Sequence, residues 1–306
     1  MVIDTTVQEK NITYPTDTKL RIKVMGRWQL ASEAGIKLRR SYRRELKGTL
    51  RIIRFSKGRK NKNKVNSATR RVKVMANALL RDVMRKLPEC ILNSRQEEFQ
   101  RYYRGINQQR YDKNKIYSLH EPGVLCINKG KEYKKYEFGT KSAIAMTKRS
   151  CIIVGAKSFT TNVYDGDTLK EILPQIEAMR GRVPKTTICD RGLRGRKRVG
   201  KTTVSIPGTA KPKVSAYDKV KLRKTFGRRS AIEPVIGHLK SDFRLARNYL
   251  KGVIGDTINL LLAAAAFNFR KWLRALFLYS YFCTDLALIK NAKYLDDAKN
   301  DFLRVD

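Results

Sequence analysis

Thr186-Thr187-Ile188-Cys189 runs without a break into Asp190-Arg191-Gly192. The first four residues are β-branched or apolar and predict a short buried strand. Asp190 closes that strand at its carboxyl end, where open α/β sheets place their sites. Just upstream, Thr168 to Arg180 carries Leu169, Ile172, Leu173 and Ile176 on one face and predicts a helix. Before it, Tyr136–Met146 and Cys151–Ala156 are short apolar runs separated by Lys148-Arg149-Ser150, the pattern of an antiparallel hairpin. Downstream, Val204 to Ile206 is a weaker strand closed by Pro207-Gly208, and the chain after Ala231 reads as helical to about Phe282.

The opening Val2-Ile3-Asp4-Thr5-Thr6-Val7 is a further strand. Between it and the hairpin lies a helical region. Tyr14-Pro15-Thr16-Asp17 is a turn with Asp17 as the expected helix cap. Gly58–Asn66 reads as an exposed loop. Val72, Met75, Leu79, Val83 and Leu87 recur at three- and four-residue steps along one amphipathic helix. The order is strand, long helical segment, hairpin, helix, strand, weaker strand, helices. The fold class is therefore α/β, a mixed sheet flanked by helices.

The chain has 306 residues, 67 Lys and Arg against 27 Asp and Glu, and a net charge of +40. At 42% hydrophobic residues it has the apolar content to build a core, unlike a disordered basic tail. So large a surplus repels itself unless a polyanion neutralises it, and nucleic acid is the expected partner. The charge is concentrated. Residues 37–86 hold 19 basic residues against two acids, and residues 191–229 hold 14 against one. These two blocks predict two phosphate-binding surfaces, the second adjoining Asp190. Arg191, Arg194, Arg196, Lys197 and Arg198 are its leading DNA contacts.

Other classes fall away. Five cysteines without a CxxC pair and only His120 and His238 argue against zinc and for a reducing, cytoplasmic setting. Val2-Ile3-Asp4 does not begin a signal peptide. Arg270, Lys271 and Arg274 interrupt the apolar stretch from Ile258 to Ile289, which favours a core helix over a membrane span. Gly195–Lys201 lacks the spacing of a phosphate-cradling loop.

In so basic a chain three acids stand out: Asp4 inside an apolar strand, Asp190 at a strand end, and Glu233 near a helix start. An acid on a buried strand is costly without a partner. Three carboxylates brought together repel one another unless cations lie among them, and an oxygen-rich set selects Mg²⁺ or Mn²⁺. Two such ions, about 3.5–4 Å apart, activate a water or 3′-hydroxyl and stabilise the leaving oxygen of a phosphodiester. Each acid also has an ordinary reading: Asp4 as a surface acid near a terminus, Asp190 as a turn residue, and Glu233 as the i,i+4 partner of Arg229. Composition and spacing do not join the three. Pro234 disfavours a helical Glu233, so the helix either starts at Pro234 with Glu233 as its cap or is kinked there. Asp167 is expected to cap the helix at Thr168, and Asp165 to be a turn acid. His238 is read as a packing or phosphate-side residue, Trp28 and Trp272 as core anchors, and Ala263–Ala266 as close helix packing.

Phe226-x2-Arg229-x3-Glu233-x6-Lys240 resembles the Tyr-x2-Arg-x3-Glu-x6-Lys signature of bacterial insertion-sequence DDE transposases, with Phe for the family's Tyr. Ile3–Gln8 is similar to that family's first-Asp strand, and Cys189–Gly195 to its second, with Leu193 in place of a Tyr. Ser118–Pro122, Lys134–Gly139 and Arg228–Gly252 also resemble this branch, so the likeness spans about residues 1–280. It implies an RNase H-like fold over residues 1–282, with a basic helical insertion at 19–104 and a tail at 283–306. Asp4, Asp190 and Glu233 become the catalytic and metal-holding residues, with two Mg²⁺ or Mn²⁺ ions, and Arg229 and Lys240 the DNA contacts. The implied activity is cleavage at element ends followed by transfer of the freed 3′-hydroxyl to target DNA. The setting is the bacterial cytoplasm at the nucleoid, with self-association on DNA and no membrane. The alternative is a catalytically inactive, truncated descendant that only binds DNA. Family members carry a helical region before the first-Asp strand, whereas here three residues precede Asp4. A shortened or frayed first strand, with Asp4 held less firmly than Asp190, is expected.

Overall fold

The computed structural model describes residues 1–28, 35–56, 58–130, 132–193, 195, 197–207 and 215–302, with the backbone alone for Trp28, Lys221 and residues 285–302. The sheet is built on two long strands. β1 (Val2–Lys10) lies antiparallel to β3 (Tyr136–Met146), with Val2 opposite Met146 and Glu9 opposite Gly139. Two strands share the far edge of β3: β2 (Leu125–Asn128) pairs with its first half and β4 (Ile153–Phe159) with its second, both antiparallel. The far edge of β1 is shared as well. β5 (Thr186–Cys189) runs parallel to it at Val2 and Ile3, and the two-residue β8 (Arg247–Asn248) at Glu9 and Lys10. β7 (Thr202–Ser205) continues parallel to β5, and β6 (Arg198–Val199) closes that side antiparallel to β7.

Strand alternation sorts the apolar residues to two faces. Val2, Ile144 and Met146 point to one side, where they pack on α8 (Ile232–Ser241) and the first part of α9 (Gly252–Phe302) through Ile232, Val235, Leu239, Leu260, Ala263, Ala264 and Phe267. Ile3, Ala143 and Ala145 point to the other, against Leu169, Ile172, Leu173 and Ile176 of α6 (Thr168–Arg180). The hairpin, α6, β5 and the helix-covered sheet thus stand where the sequence puts them.

Between β1 and β2 the described chain is helical: α1 (Asp17–Met25), α2 (Arg43–Phe55), α3 (Lys62–Lys86), α4 (Glu89–Ser94) and α5 (Gln96–Asn107). These helices bury a core of their own, made by Leu20 and Val24 of α1, the Val72–Leu87 stripe of α3, and Phe99, Tyr102 and Ile106 of α5.

Several expectations are corrected. The first strand is neither short nor frayed: it runs nine residues with both edges paired, and the Met1 carbonyl accepts from Ile188 N–H at 2.8 Å. Asp17 does not cap α1; the Thr16 side chain does, accepting from Lys19 N–H, and Asp17 is the first helical residue. α3 starts at Lys62, inside the segment read as a loop, because its first turns are exposed and carry no apolar stripe to announce them. A further helix, α7 (Ala216–Phe226), precedes the stretch read as helical after Ala231, and that stretch is broken at 242–251, where β8 forms. Trp272 is 56% exposed and is no core anchor. Trp28 lies outside the described side chains.

α9 extends well past the sheet. Over Gly252–Thr284 it has the length and composition to cross a membrane, but a core helix passes the same test, and its Leu260–Phe267 turns are packed on the sheet. Its continuation to Phe302 carries the helix through the expected boundary at residue 282. A buried polar cluster fastens its start. Lys10 Nζ lies 2.8 Å from Asp256 Oδ1 and 3.1 Å from Glu121 Oε2, and donates to the Leu250 and Gly252 carbonyls. Gln8 and Asn248 also donate to Asp256. With its charges opposed and its donors used, this cluster sets the register of β8 and α9 against the end of β1.

Gly139 permits the closest approach in the sheet. A Cβ there would stand 1.9 Å from the Gln8 carbonyl oxygen and 2.7 Å from Glu9 Cα, both backbone and unable to yield cheaply. Gly139→Ala should therefore destabilise the fold by about 3 kcal/mol, at the upper end for overpacking. The urea midpoint against wild type is the measurement.

Candidate active site

Parallel pairing of β1 with β5 sets the site's frame. Ile3 is the partner of Cys189, and both point to the α6 face. The next residue on each strand, Asp4 and Asp190, therefore points to the opposite face, the one covered by α8. Glu233 lies in the first turn of α8. Neither expected arrangement at Pro234 holds. The helix begins at Ile232, ahead of the proline, and needs no kink, because a first-turn N–H has no partner within the helix to lose.

Arg229, in a single 3₁₀ turn (Arg229–Ala231) before α8, joins two of the carboxylates. Its Nη1 lies 3.2 Å from Asp190 Oδ1 and its Nη2 donates to Glu233 Oε1 at 3.5 Å. The ordinary reading of Glu233 as the i,i+4 partner of Arg229 is therefore correct as far as it goes, and the same guanidinium also reaches a strand end 39 positions earlier. Asp190 and Glu233 are open, with 49% and 62% of their side chains exposed.

Asp4 is the enclosed member. Burial pushes its carboxyl from 3.8 up to about 6. A hydrogen bond from Thr5 N–H to Oδ1 at 2.7 Å opposes the rise, the negative charge of Asp190 adds to it, and Arg229 pulls it down. The three acids therefore feel a common set of charges. Among the described residues, no group of three His, Cys, Asp or Glu is spaced to hold a metal ion. The cation between Asp190 and Glu233 in this structure is the guanidinium of Arg229.

Asp165 contributes more than a turn. Its Oδ1 accepts from Lys141 Nζ at 2.9 Å and from Thr5 Oγ1 at 3.1 Å, and its Oδ2 lies 3.2 Å from where a Cβ on Gly192 would be. It thus ties β1 to β3 on the α6 face and lies close beside Gly192. Sequence reasoning missed this, and the only available signal was a Thr next to Asp4 on the opposite pleat. Asp167 precedes α6 but makes no capping bond; it pairs with Lys170 at 3.3 Å. His238 Nδ1 lies 3.0 Å from Asp242 Oδ2, which Arg270 also pairs with, on the side of α8 away from the carboxylates. Lys240 sits in the last turn of α8, seven residues beyond Glu233. Arg191, Lys197 and Arg198 are exposed around the Asp190 turn, whereas Arg194 and Arg196 lie outside the described residues.

The family described as transposase DDE domain matches residues 106–269, more than half of the chain. The chain belongs to this family and is a DDE transposase by that membership. The match takes in Asp190, Arg229, Glu233 and Lys240 and leaves out Asp4, α1–α4 and all but the last two residues of α5. No curated protein and no solved structure matches the chain.

The raised Asp4 carboxyl fixes a pH dependence. Between pH 3.8 and about 6 the folded chain holds a proton that the unfolded chain has lost, so stability falls as pH rises through that window and the penalty stays constant above it. Asp4→Asn keeps the oxygen that accepts from Thr5 and loses the charge. It should flatten the fall between pH 4 and 6 and stabilise the chain at pH 7.5 by roughly 3 kcal/mol. Denaturant melts across that range measure both effects.

Proposed function

We propose that this chain is a DNA transposase that cleaves at the ends of an insertion sequence and joins the freed 3′-hydroxyl to target DNA, with Asp4, Asp190 and Glu233 as its catalytic carboxylates. The observation that carries the reading is the Arg229 bridge. It ties the strand-end acid to the helix acid inside the matched region, while strand pairing sets Asp4 beside Asp190. An RNase H-like sheet is part of the reading, supported by the order β4-β3-β1-β5-β7, in which the first three strands alternate in direction and the last two run parallel to β1. The start of the family match at residue 106, the end of α5, supports reading the helices before it as an insertion.

The donor chemistry suits divalent cations, being three carboxylates and oxygen only, although among the described residues no three are spaced to hold one in this structure, where Arg229 lies between two of them. Asp4, Asp190 and Glu233 would hold Mg²⁺ or Mn²⁺, which would supply Lewis-acid stabilisation of the charge that develops on the phosphodiester oxygens. The remaining roles fall to the chain itself. The enclosed Asp4 is the acid whose charge is hardest to hold, so a cation there lowers its cost. The phosphate contacts are assigned to Arg229, ahead of α8, and Lys240, in its last turn, with the exposed Arg191, Lys197 and Arg198 extending that positive surface.

Asp190→Asn should abolish end cleavage in Mg²⁺ while leaving DNA affinity within about twofold, because it removes a charge from an open carboxylate that packs nothing. Cleavage of a labelled end substrate and fluorescence anisotropy on the same preparation measure the two. An equal fall in binding would make Asp190 structural.

A further inference from the structure

A second basic site lies in the helical half, outside the family match. Arg39 and Arg40, just before α2, share a concave site of about 410 Å³ with Arg81 and Arg85 of α3, closed by Tyr42, Ala78, Leu79 and Asp82. The site is built rather than incidental. The buried Asp82 carboxylate accepts from the Arg39 backbone N–H at 2.9 Å, from Arg85 Nη2 at 3.0 Å and from Lys86 Nζ at 3.4 Å. Lys86 Nζ in turn donates to the Lys37 carbonyl at 3.0 Å. These bonds clamp the 37–40 segment onto α3. The Arg39 backbone bond leads the effects that hold the Asp82 carboxyl below its ordinary range, so it stays charged as the anchor of the clamp. Tyr42 then takes a left-handed turn, φ 53°, that sends the chain into α2.

The clamp uses one acid for its own bonds and leaves the arginines in excess. Among the described residues Arg81 reaches only the Asn77 carbonyl, at 3.4 Å. Among the described residues the Arg39 and Arg40 guanidiniums have no hydrogen-bond or ion-pair partner. Four planar guanidiniums around one hollow, two of them unengaged, match tetrahedral oxyanions, which they grip with paired N–H donors.

We infer that this hollow binds backbone phosphates of DNA, as an anchoring site separate from the carboxylates. The choice of DNA as the polyanion rests on the transposase reading. The site makes the first basic block a defined phosphate grip on α2 and α3, so that DNA engaged at Asp190 is also held by the helical half.

The test is anisotropy titration of the full chain with a generic duplex over a range of salt. Arg39→Ala/Arg40→Ala removes two side chains without touching the Arg39 N–H that Asp82 needs, so the thermal midpoint should not move. Binding near 0.15 M salt should weaken about tenfold, and the salt slope should fall by about 1 to 2, as expected for two lost phosphate contacts. Arg182→Ala/Lys185→Ala removes the same charge at the opposite end of β5 from Asp190 and should weaken binding less than twofold. Wild-type affinity and slope in the first variant would overturn the site, as would equal losses in both. Cleavage is not a readout here. Wild-type cleavage by Asp190→Asn would sink the catalytic reading and leave this one standing, whereas unchanged anisotropy would sink this one alone.

Discussion

Two backbone pairings, Val2 with Ile188 and Ile3 with Cys189, hold the rest of the structure in place. They join the strand that opens the chain to one about 185 residues later and run them parallel. Because the side-chain period of a strand is two, this register alone puts Ile3 and Cys189 into the core on one face and Asp4 and Asp190 on the other. A slip of one residue would drive a carboxylate into the α6 core and turn Ile3 toward solvent. The pairing is reinforced at its end, where the Met1 carbonyl accepts from Ile188 N–H and its ammonium donates to the Thr186 carbonyl. The long antiparallel ladder between β1 and β3 fixes the other edge.

Charge explains what is built on that frame. In a chain of net charge +40 the acids are few, and each described one near the site is occupied. Asp190 and Glu233 share Arg229, Asp165 holds Lys141 and Thr5, and Asp82 clamps the segment before α2. Asp4 differs: it faces Asp190 from a more enclosed position and answers with a raised carboxyl pKa. Such concentrated like charge is stable when a polyanion covers the basic surface and cations sit among the acids. The transposase family to which the chain belongs supplies both in its chemistry. At the far end of β1 the Lys10–Glu121–Asp256 cluster shows the opposite arrangement: buried charges that pair with one another and with Gln8, Asn248 and the Gly252 N–H, and hold elements in register.

Much of this was legible in the sequence where periodicity is strong. The Val72–Leu87 stripe, the Leu169–Ile176 face and the β-branched run before Asp190 each carry their own period, and each stands as read. Elements without a period were missed. β2, β6 and β8 are two to four residues long and exist only because an edge of β1, β3 or β7 is there to pair with. Trp272 was misjudged because aromaticity predicts burial only on average, and α9 has left the sheet by that point. Thr16 outcompeted Asp17 as a cap because either side chain can accept from an N–H, and the loop's path decides which one does.

The sequence by itself determined the charge and its two blocks, the mixed sheet with helices, and three acids that stand out in so basic a chain, one of them inside an apolar strand. Their resemblance to a family signature named the chemistry. Only the tertiary structure decided that Asp190 and Glu233 share one guanidinium, that Asp4 is the enclosed acid of the three, and that Asp165 holds Thr5 and Lys141 on the opposite face. It also decided that four arginines from two separated segments line one hollow. The reason is the range of the forces involved. Hydrophobic periodicity is set by neighbours a few residues away and is written into any short stretch. Carboxylate–guanidinium contacts act over a few ångströms between residues tens to hundreds of positions apart, and they exist only once strand register and helix packing have brought those residues together.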